Sequence, residues 1–555
     1  MEWRSLGTEE CQGILFYEWG AGMIACSTKR ACVPPSIAVA PRFPHHFIAR
    51  MSPLPPSNEP NSAPRAISGW ISAGLALLVA SLVLWRTHGI GMMGFDSYPL
   101  ILSARIENWA DFLGTFNEEL MDGRYAGHYF RPLLNLSFAL DHWLWGLDPF
   151  GYQLSGAVLF GACGWALALL LGRMLGAGAG PSVLAGLAFF FLHDSHFEAI
   201  PVPARRPEMM CGLFACLALA SQLDPRALTR KWSVAAPVLM LLAAASKETG
   251  YALPAVCVVA VYFYSPATSL RQRALHAVRV GLMHSLAVGA LLLLRISTLG
   301  GLGGPAPLPT GLSSAPPIEL SALLLQRLFV PQNVESWGLV VPLLAGLALA
   351  TLALVWVLGR GAEDRTATAK PSSAMLVSCT WVALVVLLYG ISRSIEQWYM
   401  FLPVLGLSMV VASAAELIRR SLASTVQRRR LIGGLAALSL VGFSYCQLRY
   451  TPLFHDYPEW SRATQASEEF LTKLETRIDG HAPGEAISAP PIPIRHPVAQ
   501  EGPALRGVVI LDAYSVQAWV ELRYPERKFR VLKAPPETPL AKDESAIRLT
   551  RSYEF

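Results

Sequence analysis

Six short segments of this sequence place charged or hydrogen-bonding groups at the margins of long apolar runs, where an unpaired charge is costly. Asp96 stands in Gly94-Phe95-Asp96-Ser97-Tyr98 and Arg131 in Tyr129-Phe130-Arg131-Pro132. His193-Asp194-Ser195-His196-Phe197-Glu198 is followed by Arg205-Arg206-Pro207-Glu208, then by Ser246-Lys247-Glu248-Thr249-Gly250, and much later by Glu396-Gln397-Trp398-Tyr399. A carboxylate opposite cations at the level of lipid headgroups suits group transfer from a lipid phosphate. The carboxylate takes a proton from the acceptor while Arg or Lys stabilises the departing phosphate.

Each group also has a plainer use. Asp96 can cap a helix start. Arg206 and Lys247 can pair with Glu208 and Glu248 as structural ion pairs, and Arg131 can anchor a loop at the interface. His193, His196 and Glu198 are metal-ligand types, but three residues over one turn do not complete a site. A divalent metal is therefore compatible but unsupported, no metal ligand is assigned, and hydrogen bonding to phosphate or acceptor is the expectation for these three.

Long apolar stretches must position these groups. The chain has 555 residues, 53% hydrophobic and only 15% charged, with mean hydropathy +0.39, which excludes an ordinary soluble protein. Its apolar residues fall in blocks of about 16 to 24, the length that crosses a hydrocarbon core as helix. About eleven spans are expected, near 67–86, 151–174, 180–196, 206–222, 231–246, 250–265, 277–298, 337–359, 373–392, 397–416 and 431–448. Basic residues load every second interval: Arg173; Arg226, Arg230 and Lys231; Arg271, Arg273 and Arg279; Arg360, Arg365 and Lys370; and Arg419, Arg420, Arg428, Arg429 and Arg430. These read as cytoplasmic loops, with the N-terminus on the same side and the C-terminus extracytoplasmic. All six charged segments then share the outer face. The net charge of +6 resides in these topology signals and gives no reason to expect nucleic acid. No CxxC pair is present, so Cys163, Cys211, Cys216, Cys257, Cys379 and Cys446, in or beside apolar runs, read as small hydrophobes.

Between the first two spans, His88–Phe150 is too polar to cross. It holds eight carboxylates, three arginines and twelve aromatic residues. Leu102, Ile106, Trp109 and Leu113 recur at helical spacing, and after Pro132 so do Leu133, Leu136, Leu140 and Trp143. Both sets predict amphipathic helices lying in the interface. Asp96 is set apart by its place just after the first span, and the other seven carboxylates read as solvated faces. The glycine- and proline-rich interval 299–318 predicts a slack connection.

Residues 1–65 are proline-rich and aperiodic, a disordered cytoplasmic tail without a signal-peptide pattern, in which Met51 is an alternative candidate start. Residues 66–448 make the transmembrane domain. Residues 449–555 predict a small extracytoplasmic α/β domain. It has a helix near 458–478, a linker over 481–503, and strands at 508–511, 516–522, 529–532 and 546–549. No repeat of 33–45 residues is visible.

Five of the motifs also share an order and spacing. Tyr129-Phe130-Arg131-Pro132-Leu133, Leu147-Asp148-Pro149-Phe150-Gly151-Tyr152, the His193/His196/Glu198 segment with Arg206 beyond it, Ser246-Lys247-Glu248, and Glu396 through Pro403 resemble the membrane region of the GT-C glycosyltransferases. The likeness is in particular to the transmembrane-and-tetratricopeptide O-mannosyltransferases and their bacterial relatives, and it covers residues 67–460. It implies an all-α polytopic membrane fold with the active site under the first outer loop. The implied donor substrate is a polyprenyl-phosphate sugar, with no cofactor certain. Asp96 takes the position of the general base, and Arg131, Arg206 and Lys247 that of the donor-phosphate contacts. His193, His196, Glu198, Glu208, Glu248, Glu396 and Tyr399 are left to position donor or acceptor. The expected activity is inverting transfer of a sugar, mannose among the candidates, to a hydroxyl of a protein, glycan or lipid, outside a bacterial inner membrane. The chain departs from the pattern in having Asp96-Ser97 for an acidic pair, Glu208 for Asp and Gln397 for Arg.

Two other classes fit the same composition: a polytopic transporter, and a non-catalytic membrane scaffold acting through its C-terminal domain. Charges at span ends rather than mid-span, and no visible half-length repeat, favour the transferase.

Overall fold

An apolar run in a medium without water can satisfy its backbone polar groups only internally, and these runs form helices. A computed structural model describes residues 69–124, 128–193, 195–224, 232–267, 269–304, 316–328, 371–393, 397–421, 457–482, 484–496, 508–509, 511–532, 544–549 and 552–554. The expected N-terminal tail, the spans expected near 337–359 and 431–448, Glu396 and the side chain of Glu198 lie outside the described residues.

In chain order the helices are α1 (Gly69–Thr87), α2 (Ser97–Ser103), α3 (Trp109–Gly114), α4 (Pro132–Trp145), α5 (Pro149–Leu175), α6 (Gly180–Leu192), α7 (His196–Ala199), α8 (Arg206–Gln222), α9 (Trp232–Ser246), α10 (Pro254–Tyr264), α11 (Leu270–Leu299), α12 (Pro317–Arg327), α13 (Pro371–Ser392), α14 (Phe401–Ser421), α15 (Tyr457–Asp479) and α16 (Ala513–Arg523). Helices lie over nine of the eleven stretches expected to span. Five of them, within α1, α5, α11, α13 and α14, are long and apolar enough to cross a membrane. The chain is an integral membrane protein.

The central core is built from α5, α6, α8, α9, α10, α13 and α14, with Phe160, Phe190, Trp381 and Phe401 fully buried. Small residues let the helices close on one another. A Cβ on Gly161 of α5 would lie 2.6 Å from the Ala76 carbonyl of α1, and one on Gly186 of α6 would lie 2.8 Å from the Ser408 carbonyl of α14. Cys163, Cys211, Cys216 and Cys257 are buried in this core, while Cys379 is exposed.

The segment between α1 and α5 departs from its expected form. The segment 102–113 is not one helix, because Asn108 opens a new one: its side chain accepts from the Ala110 and Asp111 amides while Asp111 reaches back, a reciprocal cap. Leu102 therefore ends on α2 and Trp109 begins α3. On α4 the buried stripe is Leu134, Phe138 and Asp141, and the expected stripe is its other face, with Leu140 and Trp143 exposed. The interval after α11 is tied down where it begins: His128 and Gly304 exchange two backbone hydrogen bonds of 2.9 Å.

In the C-terminal segment, residues 516–522 form helix α16 rather than a strand. Asp512 and Ser515 cap its start, and that local signal overrides the β-rich composition of Val516–Leu522. The expected linker contains β1 (Ile487–Ser488) and β2 (Ile492–His496); β3 (Val508–Val509), β4 (Lys528–Leu532), β5 (Glu544–Arg548) and β6 (Ser552–Glu554) complete two three-stranded sheets. One sheet runs β1-β5-β4, all parallel, with Ile487 opposite Ile547 and Lys528 opposite Glu544. The other runs β3-β2-β6, antiparallel then parallel. These elements share one apolar core with the segment between α1 and α5: Ile90, Met93, Ile101 and Phe138 bury together with Trp460, Phe470, Val516 and Trp519.

Candidate functional site

Asp96 occupies the N-cap position of α2, yet its side chain makes no capping hydrogen bond. It turns away instead. Oδ1 accepts 3.0 Å from the Tyr514 hydroxyl, and Oδ2 lies 3.6 Å from Nη1 of Arg205. The chain reaches this corner through Gly94, whose φ of 89° favours glycine and whose Cβ would meet the Val202 side chain at 2.5 Å. Asp96 keeps 30% of its side-chain surface open.

Arg205 and Arg206 follow one another at the start of α8 and so point different ways. Arg205 goes to Asp96 and lies 3.4 Å over the Trp398 ring. Arg206 is buried against Phe138 and pairs with Asp141 at 2.5 Å, while Ser155 donates to the other carboxylate oxygen at 2.7 Å. Asp141 is thus no solvated surface group; it is the buried counter-charge of Arg206, at 5% side-chain exposure.

Lys247 and Glu248 diverge in the same manner. Gly250 lets their turn fold tightly onto α9, since a Cβ there would lie 2.5 Å from the Ala244 amide nitrogen. Lys247 is extended (φ −158°, ψ 147°), which sends it and Glu248 to opposite sides. Lys247 contacts Glu208 and lies 4.2 Å over the Tyr399 ring; Tyr389 donates to Glu208 at 3.1 Å. Glu248 accepts three hydrogen bonds from Arg131, at 3.0, 3.1 and 2.7 Å, and a fourth from Arg295 at 3.1 Å. The ion pairs are therefore Lys247 with Glu208 and Arg206 with Asp141, not the sequence-adjacent pairing of Arg206 with Glu208 and Lys247 with Glu248. Burial pushes the Glu248 pKa up, but Arg131 and then Arg295 outweigh it and hold the carboxyl at about 2. Two guanidiniums on one carboxylate leave a surplus positive charge.

The histidines sit deeper. His193 bonds the Leu328 carbonyl at 2.9 Å and the Ser195 hydroxyl at 3.0 Å. His196 bonds the Phe190 carbonyl at 2.6 Å and is ringed by Phe160, Phe190 and Phe401. Among the described residues no three His, Cys, Asp or Glu side chains converge in a way that could hold a metal ion.

The short turn Gln397–Met400 joins the two halves of this layer: Trp398 carries Arg205 and Tyr399 carries Lys247. Sequence reasoning missed Asp141, Arg205 as the partner of Asp96, Arg295 and Tyr514. For Asp141 a signal existed in the alternative stripe Leu134, Phe138, Asp141; for Arg295, in a lone charge within an apolar run. For Tyr514 there was none.

No protein-family model matches the chain. Over 152 residues it is 32% identical to Protein O-mannosyl-transferase Tmtc1 of Drosophila melanogaster, a match covering 26% of this chain and 16% of that protein. Over 109 residues it is 34% identical to Protein O-mannosyl-transferase tmtc2 of Xenopus laevis, covering 20% and 12%. The matched part is thus less than a fifth of either relative. The crystal structure of ArnT from Cupriavidus metallidurans in the apo state aligns with a TM-score of 0.44 and 17% identity, covering 75% of this chain and 82% of that one. The sequence similarity supports the GT-C-like reading of the motifs.

Proposed function

We propose that this chain is an inverting glycosyltransferase of the GT-C kind, moving a sugar from a polyprenyl-phosphate donor to an acceptor hydroxyl on the extracytoplasmic face of a bacterial inner membrane. The observation that carries the reading is Asp96. It is a partly open carboxylate that leaves its helix start uncapped and is held by Arg205 and Tyr514 beside a layer of cations. The partial sequence likeness to two O-mannosyl-transferases supports it.

In this reading about eleven helices span the membrane, with residues 1–65 a cytoplasmic tail and 449–555 an outer α/β domain. Asp96 takes the proton of the acceptor hydroxyl as that oxygen forms a bond to the sugar's anomeric carbon. The bond from that carbon to the phosphate oxygen breaks on the opposite face, and the polyprenyl phosphate leaves with the electron pair. Arg131, Arg206 and Lys247 are the proposed donor-phosphate side. Of these Arg131 has the most charge to offer, since with Arg295 it shares a single carboxylate. His193, His196, Glu198, Glu208, Glu248, Glu396 and Tyr399 shape the donor and acceptor positions. Mannose is one candidate sugar, and a protein, glycan or lipid one acceptor class each.

The test is release of polyprenyl phosphate from polyprenyl-phosphate mannose in proteoliposomes of the full-length chain. Asp96→Asn should remove release while donor binding persists; wild-type release by that variant would sink the assignment.

A further inference from the structure

The C-terminal segment reaches the centre of the site. Residues 511–515 open α16 against the turn before α2, and the contact is made by polar atoms with defined partners. The Ser515 hydroxyl donates to the Phe95 carbonyl at 2.7 Å and accepts from the Asp512 amide at 3.2 Å, so it is fully used and fully buried. The Tyr514 ring meets Phe95 edge-on, with centroids 6.0 Å apart. Its hydroxyl then falls 3.0 Å from Oδ1 of Asp96.

We infer that Tyr514 is a positioning residue for Asp96, and that the C-terminal domain is a structural part of the proposed catalytic centre rather than an appendage. This rests on the proposed role of Asp96. The geometry explains why one contact would not suffice. Arg205 alone, at 3.6 Å and already stacked on Trp398, leaves the carboxylate free to rotate about its χ2. A phenol on Oδ1 and a guanidinium near Oδ2 together fix the carboxylate plane, and each oxygen keeps a further lone pair to accept a proton. A base held in one orientation needs less reorganisation as the proton moves. The other carboxylate beside the phenol is Asp512, and its Oδ1 accepts from the Ala513 amide at 2.6 Å.

The experiment compares the full-length chain with Tyr514→Phe, and with Tyr524→Phe as a control. The control removes another phenol–carboxylate bond of the same domain, 2.9 Å to Asp479 and distant in role. Two readouts are taken in proteoliposomes. The first is the infrared carboxylate stretch of Asp96, assigned by its loss in Asp96→Asn. The second is kcat and KM for release of polyprenyl phosphate from polyprenyl-phosphate mannose. Tyr514→Phe should shift the Asp96 band and lower kcat about tenfold with KM unchanged, and Tyr524→Phe should do neither. An unshifted band in Tyr514→Phe, or an equal shift in Tyr524→Phe, would overturn the inference. Wild-type release by Asp96→Asn would instead overturn the assignment of Asp96 as the base, while the band shift would still decide whether the contact exists.

Discussion

Asp96 and Glu208 are built from the same parts. Each carboxylate faces one cation and one tyrosine hydroxyl: Arg205 and Tyr514 for Asp96, Lys247 and Tyr389 for Glu208. Each cation also lies over an aromatic ring, and the two rings, Trp398 and Tyr399, are neighbours in one short turn. What differs is water. Glu208 keeps 2% of its side chain exposed and Lys247 5%, against 30% for Asp96. In the buried pair the charges answer each other and hold α8 to the turn after α9. At the open corner the cation stands off, and one side of the carboxylate is left for a third party. Equal chemistry thus gives architecture in one place and a candidate base in the other.

Breaking one partner of each pair separates the two most widely. Glu208→Gln strands the buried Lys247 charge and should cost about 3–5 kcal/mol of stability, read as a large fall in melting temperature. Asp96→Asn should change stability by less than about 1 kcal/mol, because its cation remains partly solvated. On turnover the order reverses: loss of a general base costs about 10²–10⁴-fold. Replacing both buried partners, as in Glu208→Leu with Lys247→Met, should recover most of the lost stability. If the double variant melts as low as Glu208→Gln, the buried pair does more than neutralise itself.

Acid gives a finer comparison. The Glu248 carboxyl, held at about 2 against an ordinary 4.5, contributes stability present above 4.5 and lost as pH falls toward 2. Arg131→Gln should move that decline to higher pH in a melting series. An Arg131→Gln series that tracks the wild type throughout would remove the arginine from the explanation.

The charged segments were legible because polar groups beside apolar runs are costly and so stand out in a sequence. Their pairing was not. Arg206 looks next door to Glu208, but a helix start and a glycine-tightened turn send neighbours in opposite directions, and the partner, Asp141, comes from a helix far back in the chain. Asp141 itself was hidden because α4 carries two apolar stripes, and spacing alone does not say which one faces protein and which faces outward. The helices of nine apolar stretches followed from composition, whereas α16 did not: Val516–Leu522 has strand composition, and only the Asp512–Ser515 cap marks it as a helix. Tyr514 was beyond reach, since its meaning depends on contact across 418 positions of sequence.

The smallest effect lies at another tie between the α1–α5 segment and α16. Arg124 reaches Glu521 at 3.0 Å, but it is 49% exposed and also lies near Asp122. The distance is shorter than the 3.6 Å from Arg205 to Asp96, so distance alone would rank it the stronger link. Solvent screening and the entropy of two long side chains argue the reverse, and place such a pair at about 0–1 kcal/mol. Arg124→Gln should therefore leave melting temperature and release of polyprenyl phosphate close to wild type, and added salt should erase what little difference there is. A loss of turnover in Arg124→Gln comparable to that of Tyr514→Phe would mean that the C-terminal domain acts on Asp96 by general docking. Near-silence there, beside an effect at Tyr514, assigns the influence to one hydroxyl.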